Sequence, residues 1–547
     1  MDFQRLFLFL IFFLSVFMLW DSWERSKQVQ AHLNSSAAPS ISSVSSPIAI
    51  VPDSTASGTA NVISEPTKRQ SGHTITVTTD WLIAEINSVG GDIRRLELLQ
   101  QHSAKDKDKP FVLMQEQEGT YIAQSGLLGN GLPTHNAIFS SDANNYRLAE
   151  GQDELEVRLQ ATDVAGAKVT KVYTFHRGSY LIDVGYKIVN DGKDPLVSSA
   201  YFQLVRDKTP PAGTTKFVST YTGPAIYTDQ EKFQKVNFAD IDKGKAKFPA
   251  KSDNGWIGIV QHYFVAAWLP QEKSQHEFYI KPLGNDLYSV GVVVPVPTAA
   301  PGQSITVNIP LYAGPATNSL DKIAPGLGLT VDYGWLTILS VPLFWLLSHI
   351  ESWVHNWGIA IILLTVFIKL LFFPLSAASY RSMAKMKVVA PKLEKIKSQY
   401  GEDRERLHKA MMELYKTEKI NPLGGCLPMV IQIPVFIALY WAILSSVELR
   451  YAPFFGWIDN LSAPDPYYIL PLIMGASMVL QSRLSPPPPD PMQAKVMKMM
   501  PVIFSVVFFF FPAGLVLYSI VNSTLSIAQQ WVITRNLELS AKGAAKT

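Results

Sequence analysis

Lys369 is a charged side chain inside an otherwise apolar segment of the sequence. It lies in the run 357–374, between Ile368 and Leu370. A cation at the centre of a bilayer costs roughly 2.5–3.5 kcal/mol on insertion scales unless it faces water or a partner. A lysine near a helix end can also extend its ammonium to the lipid headgroups. Position alone leaves both interpretations open, a hydrated intramembrane site or a lysine that reaches the membrane surface.

Other polar side chains accompany Lys369 in the apolar part of the sequence. Thr365 lies one helical turn earlier and on the same face. Amides and hydroxyls in the later segments occur at Gln432, Ser445, Ser446, Ser519, Asn522, Ser523, Ser526, Gln529 and Gln530. Such groups either bond neighbouring helices to one another or line a hydrated cavity, and the sequence alone permits both.

Common signatures of enzyme sites are missing from the sequence. It has no phosphate-binding Gly-Lys-Ser/Thr loop, no H-E-x-x-H helix and no Gly-x-Ser-x-Gly elbow. The spacings of His349, Glu351 and His355 do not align on one helix face, so we expect no metal site. Cys426 is the only cysteine, which excludes an intrachain disulfide. A net charge of +3 is small for 547 residues and argues against DNA binding. We therefore expect a protein that is not an enzyme and needs no cofactor.

The elements that position these residues are apolar runs close to the roughly 20 residues that cross a bilayer as a helix. They lie at 357–374, 427–447, 467–484, 499–511 and 515–533. The fourth run is short, because a helix of about 13 residues covers only roughly 20 Å. We expect that helix to extend back over 492–498.

Charges between these runs predict their orientation. The loop 376–426 is rich in lysine and arginine, whereas the loop 448–466 carries only Arg450. By the positive-inside rule the first loop is cytoplasmic and the second is external, which also places both termini in the cytoplasm. Helical periodicity on both sides of Gly401 predicts a helical hairpin at 376–426. The basic side chains of this hairpin include Arg381, Lys385 and Lys387. They could contact anionic lipid or ribosomal RNA, although a solvated charged face is the simpler interpretation.

The remaining sequence divides by composition and period. Alternating apolar residues and turn signals predict a large antiparallel β-sandwich. The more continuously apolar segment 255–270 predicts a strand pair or a core strand. The apolar run 6–20 could be a signal peptide or a signal anchor, and Trp20 and Trp23, where a small-residue cleavage site would lie, favour an uncleaved anchor. We expect six consecutive units: a transmembrane anchor at 1–26, a flexible linker at 27–71, the β-domain at 72–318, a linker with an amphipathic interfacial helix at 319–356, a helical membrane core at 357–536 and a short cytoplasmic tail at 537–547.

Six short motifs give the sequence a resemblance to the YidC insertases of Gram-negative bacteria, in the wider family of mitochondrial oxidase-assembly and thylakoid insertases. They occur in order along the membrane half, as 330–336 (TVDYGWL), 382–386 (SMAKM), 421–426 (NPLGGC), 465–471 (DPYYILP), 490–493 (DPMQ) and 514–518 (GLVLY). The resemblance implies a five-helix membrane core with a hydrophilic groove, an additional N-terminal helix and a periplasmic β-supersandwich. It also implies insertion and folding of inner-membrane proteins, alone or with the Sec translocon and its accessory subunits.

The resemblance further implies partners and a substrate groove. Expected partners are nascent inner-membrane proteins, ribosome–nascent-chain complexes and membrane lipids. The groove residues implied together with the polar pattern are Lys369, Thr365, Gln432, Tyr518, Ser519 and Asn522. Two of them depart from the family pattern. Lys369 stands where the family has an arginine and so lacks the planar fork for carboxylates, and Ser519 replaces an aromatic residue.

Two other classes of function remain as alternatives. A solute transporter could use an intramembrane lysine, but the sequence shows no inverted repeats, paired broken helices or intramembrane acid to couple an ion. A membrane-tethered carbohydrate enzyme or binding module is conceivable because β-supersandwiches resemble sugar-processing folds, although fold analogy alone is weak.

Overall fold

A computed structural model describes residues 72–103, 106–162, 164, 166–211, 220–271, 273–401, 403–418, 427–484 and 491–544. The expected anchor at 1–26, the expected linker at 27–71 and Cys426 lie outside these residues. The described chain has a β-domain, which begins at Thr74, followed by a helical half.

The β-domain is a sandwich of two mainly antiparallel sheets, which confirms the predicted fold class. The first sheet has the spatial order β14 (Lys251–Ser252), β17 (His276–Gly284), β18 (Leu287–Ala299), β11 (Leu196–Asp207), β5 (Tyr121–Leu128), β3 (Asp92–His102), β2 (Leu82–Asn87), β1 (Thr74–Thr78) and β7 (Asn145–Arg147), and β4 (Pro110–Met114) also pairs with β3. The second has the order β13 (Lys232–Lys235), β12 (Gly223–Thr228), β15 (Trp256–Gln261), β16 (Phe264–Trp268), β19 (Ser304–Pro315), β10 (Leu181–Asn190), β9 (Ala167–His176), β8 (Glu154–Ala161) and β6 (Phe139–Ser141).

The apolar side chains that alternate in the sequence are buried between the two sheets. In β10 the side chains of Ile182, Val184, Tyr186 and Ile188 are fully buried in the core between the two sheets. This follows from the period of two in a strand, which sends successive side chains to opposite faces.

Strands β15 and β16 lack this alternation because both of their faces are covered. Ile257 and Ile259 point into the sandwich core. Trp256, Val265 and Ala267 belong to a second apolar cluster that continues into the helical half. The predicted apolar strand pair at 255–270 is confirmed, with Ile257 opposite Trp268 at one end and Gln261 opposite Phe264 at the other.

The described helices are α1 (Phe238–Asp242), which belongs to the β-domain, and α2 (Thr337–Val354), α3 (Trp357–Leu371), α4 (Phe373–Tyr400), α5 (Arg404–Thr417), α6 (Leu427–Ser445), α7 (Ile469–Leu484), α8 (Pro491–Phe508) and α9 (Ala513–Ala544). The predicted backward extension of the short fourth run is confirmed by α8. Helix α9 continues beyond 533 and includes most of the segment expected to be a tail.

The chain bends between α3 and α4. The first run was expected to continue to Pro374, but α3 ends at Leu371 and Pro374 lies in the first turn of α4. Proline is tolerated there because the first turn leaves its N–H groups unpaired in any case. The two helices meet at an angle of 68°.

Helices α4 and α5 form the hairpin expected on both sides of Gly401. Asp403 caps α5, since its carboxylate accepts hydrogen bonds from the backbone N–H groups of Glu405 and Arg406. The apolar contact between the helices consists of Met386, Val389, Leu393, Met411 and Tyr415.

Helix α2 presents aromatic residues to its surroundings. Trp345 and Trp353 are among its most exposed side chains. The segment Gly334–Val354, with a mean hydropathy of 1.2, is long and apolar enough to cross a membrane, and α3 together with Phe373–Met386 passes the same test as a bent pair. Length and composition alone do not distinguish a span from a helix in the interface, so the interfacial position of α2 stays a prediction.

The β-domain and the helical half meet at the loop after α6. The guanidinium of Arg450 lies 5.2 Å from the ring centre of Phe111, 5.7 Å from that of Tyr263, 5.5 Å from that of Phe264 and 5.1 Å from that of Tyr451. We call these four rings the Arg450 cage. Three of them belong to the β-domain, so the cage joins the two halves.

Hydrogen bonds surround the Arg450 cage. The Tyr451 hydroxyl donates to the Ser103 carbonyl at 2.7 Å. Burial lowers the pKa of His262 to about 4, so its ring is neutral at physiological pH and its Nε2 can donate to the Leu444 carbonyl, 3.0 Å away.

Candidate functional site: polar residues around Lys369

Lys369 lies in the last turn of α3 and is half-buried. Its Nζ donates a hydrogen bond to the Ser526 Oγ on α9 at 2.6 Å. Within the described part of the chain, no carboxylate lies within ion-pair distance of this ammonium. The positive charge is thus held by a neutral hydroxyl and keeps its capacity to attract an anion.

Gln432 lies across from Lys369 and joins α6 to α9. Its amide Nε2 donates to the hydroxyl of Tyr518. Gln432 and Lys369 line one cavity of about 20 Å³, together with Ile368, Phe372, Leu375, Ser376 and Val435. This volume is enough for about one water molecule. The cavity is therefore a small polar space between helices.

Two other candidate residues use their side-chain hydroxyls on their own helix. Thr365 and Ser519 are buried, and their hydroxyls donate to the carbonyls of Ile361 at 2.6 Å and Leu515 at 2.9 Å. Asn522 is half-buried, and its backbone carbonyl accepts a hydrogen bond from the Ser526 hydroxyl. The structure thus places Lys369 and Gln432 in the wall of one cavity, and Tyr518 is hydrogen-bonded to Gln432. Thr365 and Ser519 are buried packing residues.

The hairpin candidates lie on α4, beyond the bend. Arg381 and Lys385 are exposed and are one turn apart on that helix, which also contains Lys387. Arg381 and Lys385 thus form an exposed basic surface, whereas Ser376 and Tyr380 on the same helix are buried.

Helix α4 contributes polar residues that the sequence had not singled out. Ser376 lines the cavity, and Ser379 and Tyr380 follow it on the same helix. Ser376, Ser379 and Tyr380 are all buried. Their spacing of three and four residues places them on one helix face, which is a signal that the sequence did contain.

Comparison with known proteins places this chain in a family. Residues 74–346 match the model described as the YidC periplasmic domain, and residues 349–541 match the model described as 60Kd inner membrane protein. The membrane protein insertase YidC of Nitrosospira multiformis is 55% identical over 565 residues, which covers 100% of this chain and 99% of the relative. The chain belongs to the YidC family of membrane protein insertases. It is accordingly an inner-membrane protein, and its β-domain is the YidC periplasmic domain.

Other relatives agree along the whole length. The YidC of Methylobacillus flagellatus is 52% identical and covers all of both chains. A crystal structure of an active YidC insertase with its first transmembrane domain resolved covers 85% of this chain and 94% of its own, at 20% identity and a TM-score of 0.40. That score is too low for a residue-by-residue comparison of geometry, so the YidC assignment rests on the sequence matches.

Proposed function

We propose that this chain inserts and helps to fold integral inner-membrane proteins through a hydrophilic groove whose positive charge is Lys369. The observation that supports this proposal is the Lys369 ammonium, which is half-buried beside a cavity and bonded to Ser526 alone among the described residues. A positive charge without a counterion is costly to keep inside a membrane protein and marks a functional site. Gln432, Tyr518 and Asn522 complete the proposed groove, with Thr365 and Ser519 packed behind them.

Simple magnitudes favour an electrostatic role for Lys369. Each charged residue in the flank of a client costs roughly 2.5–3.5 kcal/mol at the bilayer centre. Two opposite charges about 4 Å apart attract by about 4 kcal/mol at an effective dielectric constant of about 20. The attraction is therefore large enough to offset the cost of one acidic residue. The hydrophobic segment of the client then moves into lipid, driven by burial of apolar surface at about 25 cal/mol per Å², without a nucleotide or bond chemistry.

We propose six spans with both termini in the cytoplasm. The contrast between the basic hairpin, with Arg381, Lys385 and Lys387, and the loop 448–466, which carries only Arg450, supports this orientation. The resemblance to the family also supports the Sec translocon with its accessory subunits, ribosome–nascent-chain complexes and membrane lipids as partners. The exposed Arg381 and Lys385 are the surface on which we expect ribosome or lipid contact.

Reconstitution in liposomes tests the proposed groove. The purified full-length chain is combined with a single-span client synthesised in situ, and insertion is scored by protease protection. The client is used with an acidic and with a neutral translocated flank. We expect the Lys369→Glu variant to impair insertion of the acidic client, and the Lys369→Arg variant to preserve it.

Lys322→Glu is the matched control for a change in total charge. Lys322 is exposed in the segment before α2 and distant in sequence from the groove, so this variant should insert both clients normally. Normal insertion of the acidic client by Lys369→Glu would show that the charge of this residue is not part of the mechanism.

A further inference from the structure

Ser526 connects two helices through one hydroxyl group. It lies on α9 and is buried. Its Oγ donates to the Asn522 carbonyl at 2.7 Å on its own helix. The same oxygen accepts a hydrogen bond from Lys369 Nζ on α3 at 2.6 Å.

The hydrogen-bonding capacity of Ser526 fixes the direction of these bonds. A serine hydroxyl has one proton and two lone pairs. Because the proton is used by the Asn522 carbonyl, the oxygen meets Lys369 as an acceptor. The bond to Asn522 also fixes the rotation of the hydroxyl, so its lone pairs hold the ammonium of Lys369 at one defined place.

From this arrangement we infer that Ser526 is a positioning residue that keeps the Lys369 ammonium inside the groove and thereby sets the preference for acidic clients. The inference rests on the proposed function of Lys369. Ser526 does not itself contact the client. It acts by determining where the charge of Lys369 is presented.

The alternative position of the ammonium is the membrane surface. Lys369 lies in the last turn of α3, close to the bend before α4. A lysine so close to a helix end can extend its flexible chain to the headgroups, where its charge is hydrated. Since no carboxylate among the described residues pairs with Lys369, the bond to Ser526 is the contact that opposes this movement.

Substitution of Ser526 tests the inference in the liposome assay. Ser526→Ala removes the acceptor, whereas Ser526→Thr retains a hydroxyl. We expect Ser526→Ala to lower insertion of the acidic client by about 5- to 10-fold, in the range of a typical lost hydrogen bond, and to leave insertion of the neutral client unaffected. Ser526→Thr should restore most of the difference between the clients.

Thr524→Ala is the matched control on the same helix. Thr524 is exposed and its hydroxyl donates to the Ile520 carbonyl at 2.8 Å, so the variant also loses one hydroxyl from α9 but leaves Lys369 untouched. It should behave like the wild type with both clients.

A second measurement follows the ammonium itself. The full-length chain in liposomes is treated with a membrane-impermeant amine reagent, and the modification of Lys369 is quantified by peptide mass spectrometry. We expect faster modification in Ser526→Ala than in the wild type or Thr524→Ala, because the released ammonium reaches the surface.

Several outcomes would overturn the inference. An equal loss of insertion for both clients in Ser526→Ala would indicate a purely structural role, and unchanged modification of Lys369 would show that Ser526 does not hold its ammonium. If Lys369→Glu impairs insertion of the acidic client while Ser526→Ala does not, only the positioning role is wrong. If Lys369→Glu has no effect either, the proposed groove charge fails and the inference fails with it.

Discussion

Lys171 in the β-domain and Lys369 in the helical half are two lysines withdrawn from water, and their surroundings differ. Lys171 is fully buried on β9, with Nζ 3.6 Å from Asp92 Oδ1 and donating to the Gly90 carbonyl at 2.9 Å. The rings of Tyr173 and Tyr186 lie 5.5 and 5.7 Å from the same nitrogen. Lys369 has a single hydroxyl partner and a cavity beside it.

This difference distinguishes a structural charge from an available one. The charge of Lys171 is neutralised by Asp92, which Gln124 also contacts at 2.9 Å, so no outside group can compete for it. Lys369 lacks such a counterion among the described residues and keeps its electrostatic attraction for a client. A buried cation thus contributes to function where its local compensation is incomplete.

The largest effect is expected when the compensated pair is broken. Lys171→Met leaves the Asp92 carboxylate buried without its counterion, so the variant should lose about 3–5 kcal/mol of unfolding free energy in the β-domain. Replacing both residues, as Lys171→Met with Asp92→Leu, should recover most of this loss. Pulse proteolysis of the full-length protein across a urea gradient measures these differences.

Lys168→Met is the control on the same strand. Lys168 is 80% exposed and pairs with Asp191 at 3.3 Å, so its loss should cost less than about 0.5 kcal/mol. Similar costs for Lys168→Met and Lys171→Met would contradict the structural role of the buried pair.

The same pair predicts a pH dependence with a defined sign. Burial raises the pKa of Asp92 from 3.8 to about 6, against the opposing attraction of Lys171, and burial lowers the pKa of Lys171 from 10.5 to about 8, against the attraction of Asp92. The folded state therefore binds more protons than the unfolded state between pH 3.8 and about 6, so stability falls there as the pH rises. Between about pH 8 and 10.5 the unfolded state binds more protons, so stability rises with pH.

The double variant isolates this contribution. The unfolding free energy of the wild type minus that of Lys171→Met with Asp92→Leu should be lowest between about pH 6 and 8, where both groups are charged, and higher on either side. The measurement is urea unfolding of both proteins from pH 4 to 10. A difference that is independent of pH would mean that the pair does not titrate across these windows.

Much of the β-domain follows from its sequence, because one buried face leaves a period of two. The same period contains Lys171, which alternates inward with Val169, Tyr173 and Phe175, so the sequence alone places a lysine in the inward register. The sequence does not reveal its partner Asp92, since the pairing depends on how the two sheets are stacked. The family resemblance and the polar pattern predicted the groove candidates, but the contact of Ser526 with Lys369 depends on how α9 packs against α3.

A third cation, Arg450, is compensated by aromatic rings. Arg450→Gln removes the cation from a desolvated cage and should lower the free energy that holds the β-domain on the helical half by about 1–2 kcal/mol. The effect of Arg450→Lys on this free energy should lie between the wild type and Arg450→Gln, because lysine keeps the charge but loses the planar stacking. Hydrogen exchange of the backbone around 262–264 and 449–452 measures this opening.

Lys107→Gln is the control for this junction. Lys107 is paired with Asp459, but both side chains are more than half exposed. Because solvent screens this ion pair, its loss should change the free energy of the junction little. Faster exchange in Lys107→Gln than in Arg450→Gln would show that the exposed ion pair, and not the Arg450 cage, holds the two halves together.

The smallest effect, with the opposite sign, is expected at Lys369. Lys369→Met removes an uncompensated cation and retains the length of the side chain, so the helical half should be unchanged or more stable by up to about 1 kcal/mol, while insertion of acidic clients is lost. Thermal unfolding in detergent micelles and the liposome assay, applied to the same variant, measure both. Leu370→Met, at an exposed position of the same helix, should change neither quantity. A marked destabilisation by Lys369→Met would place this lysine with Lys171 as a structural charge, because a charge kept for clients should not be needed to hold the fold.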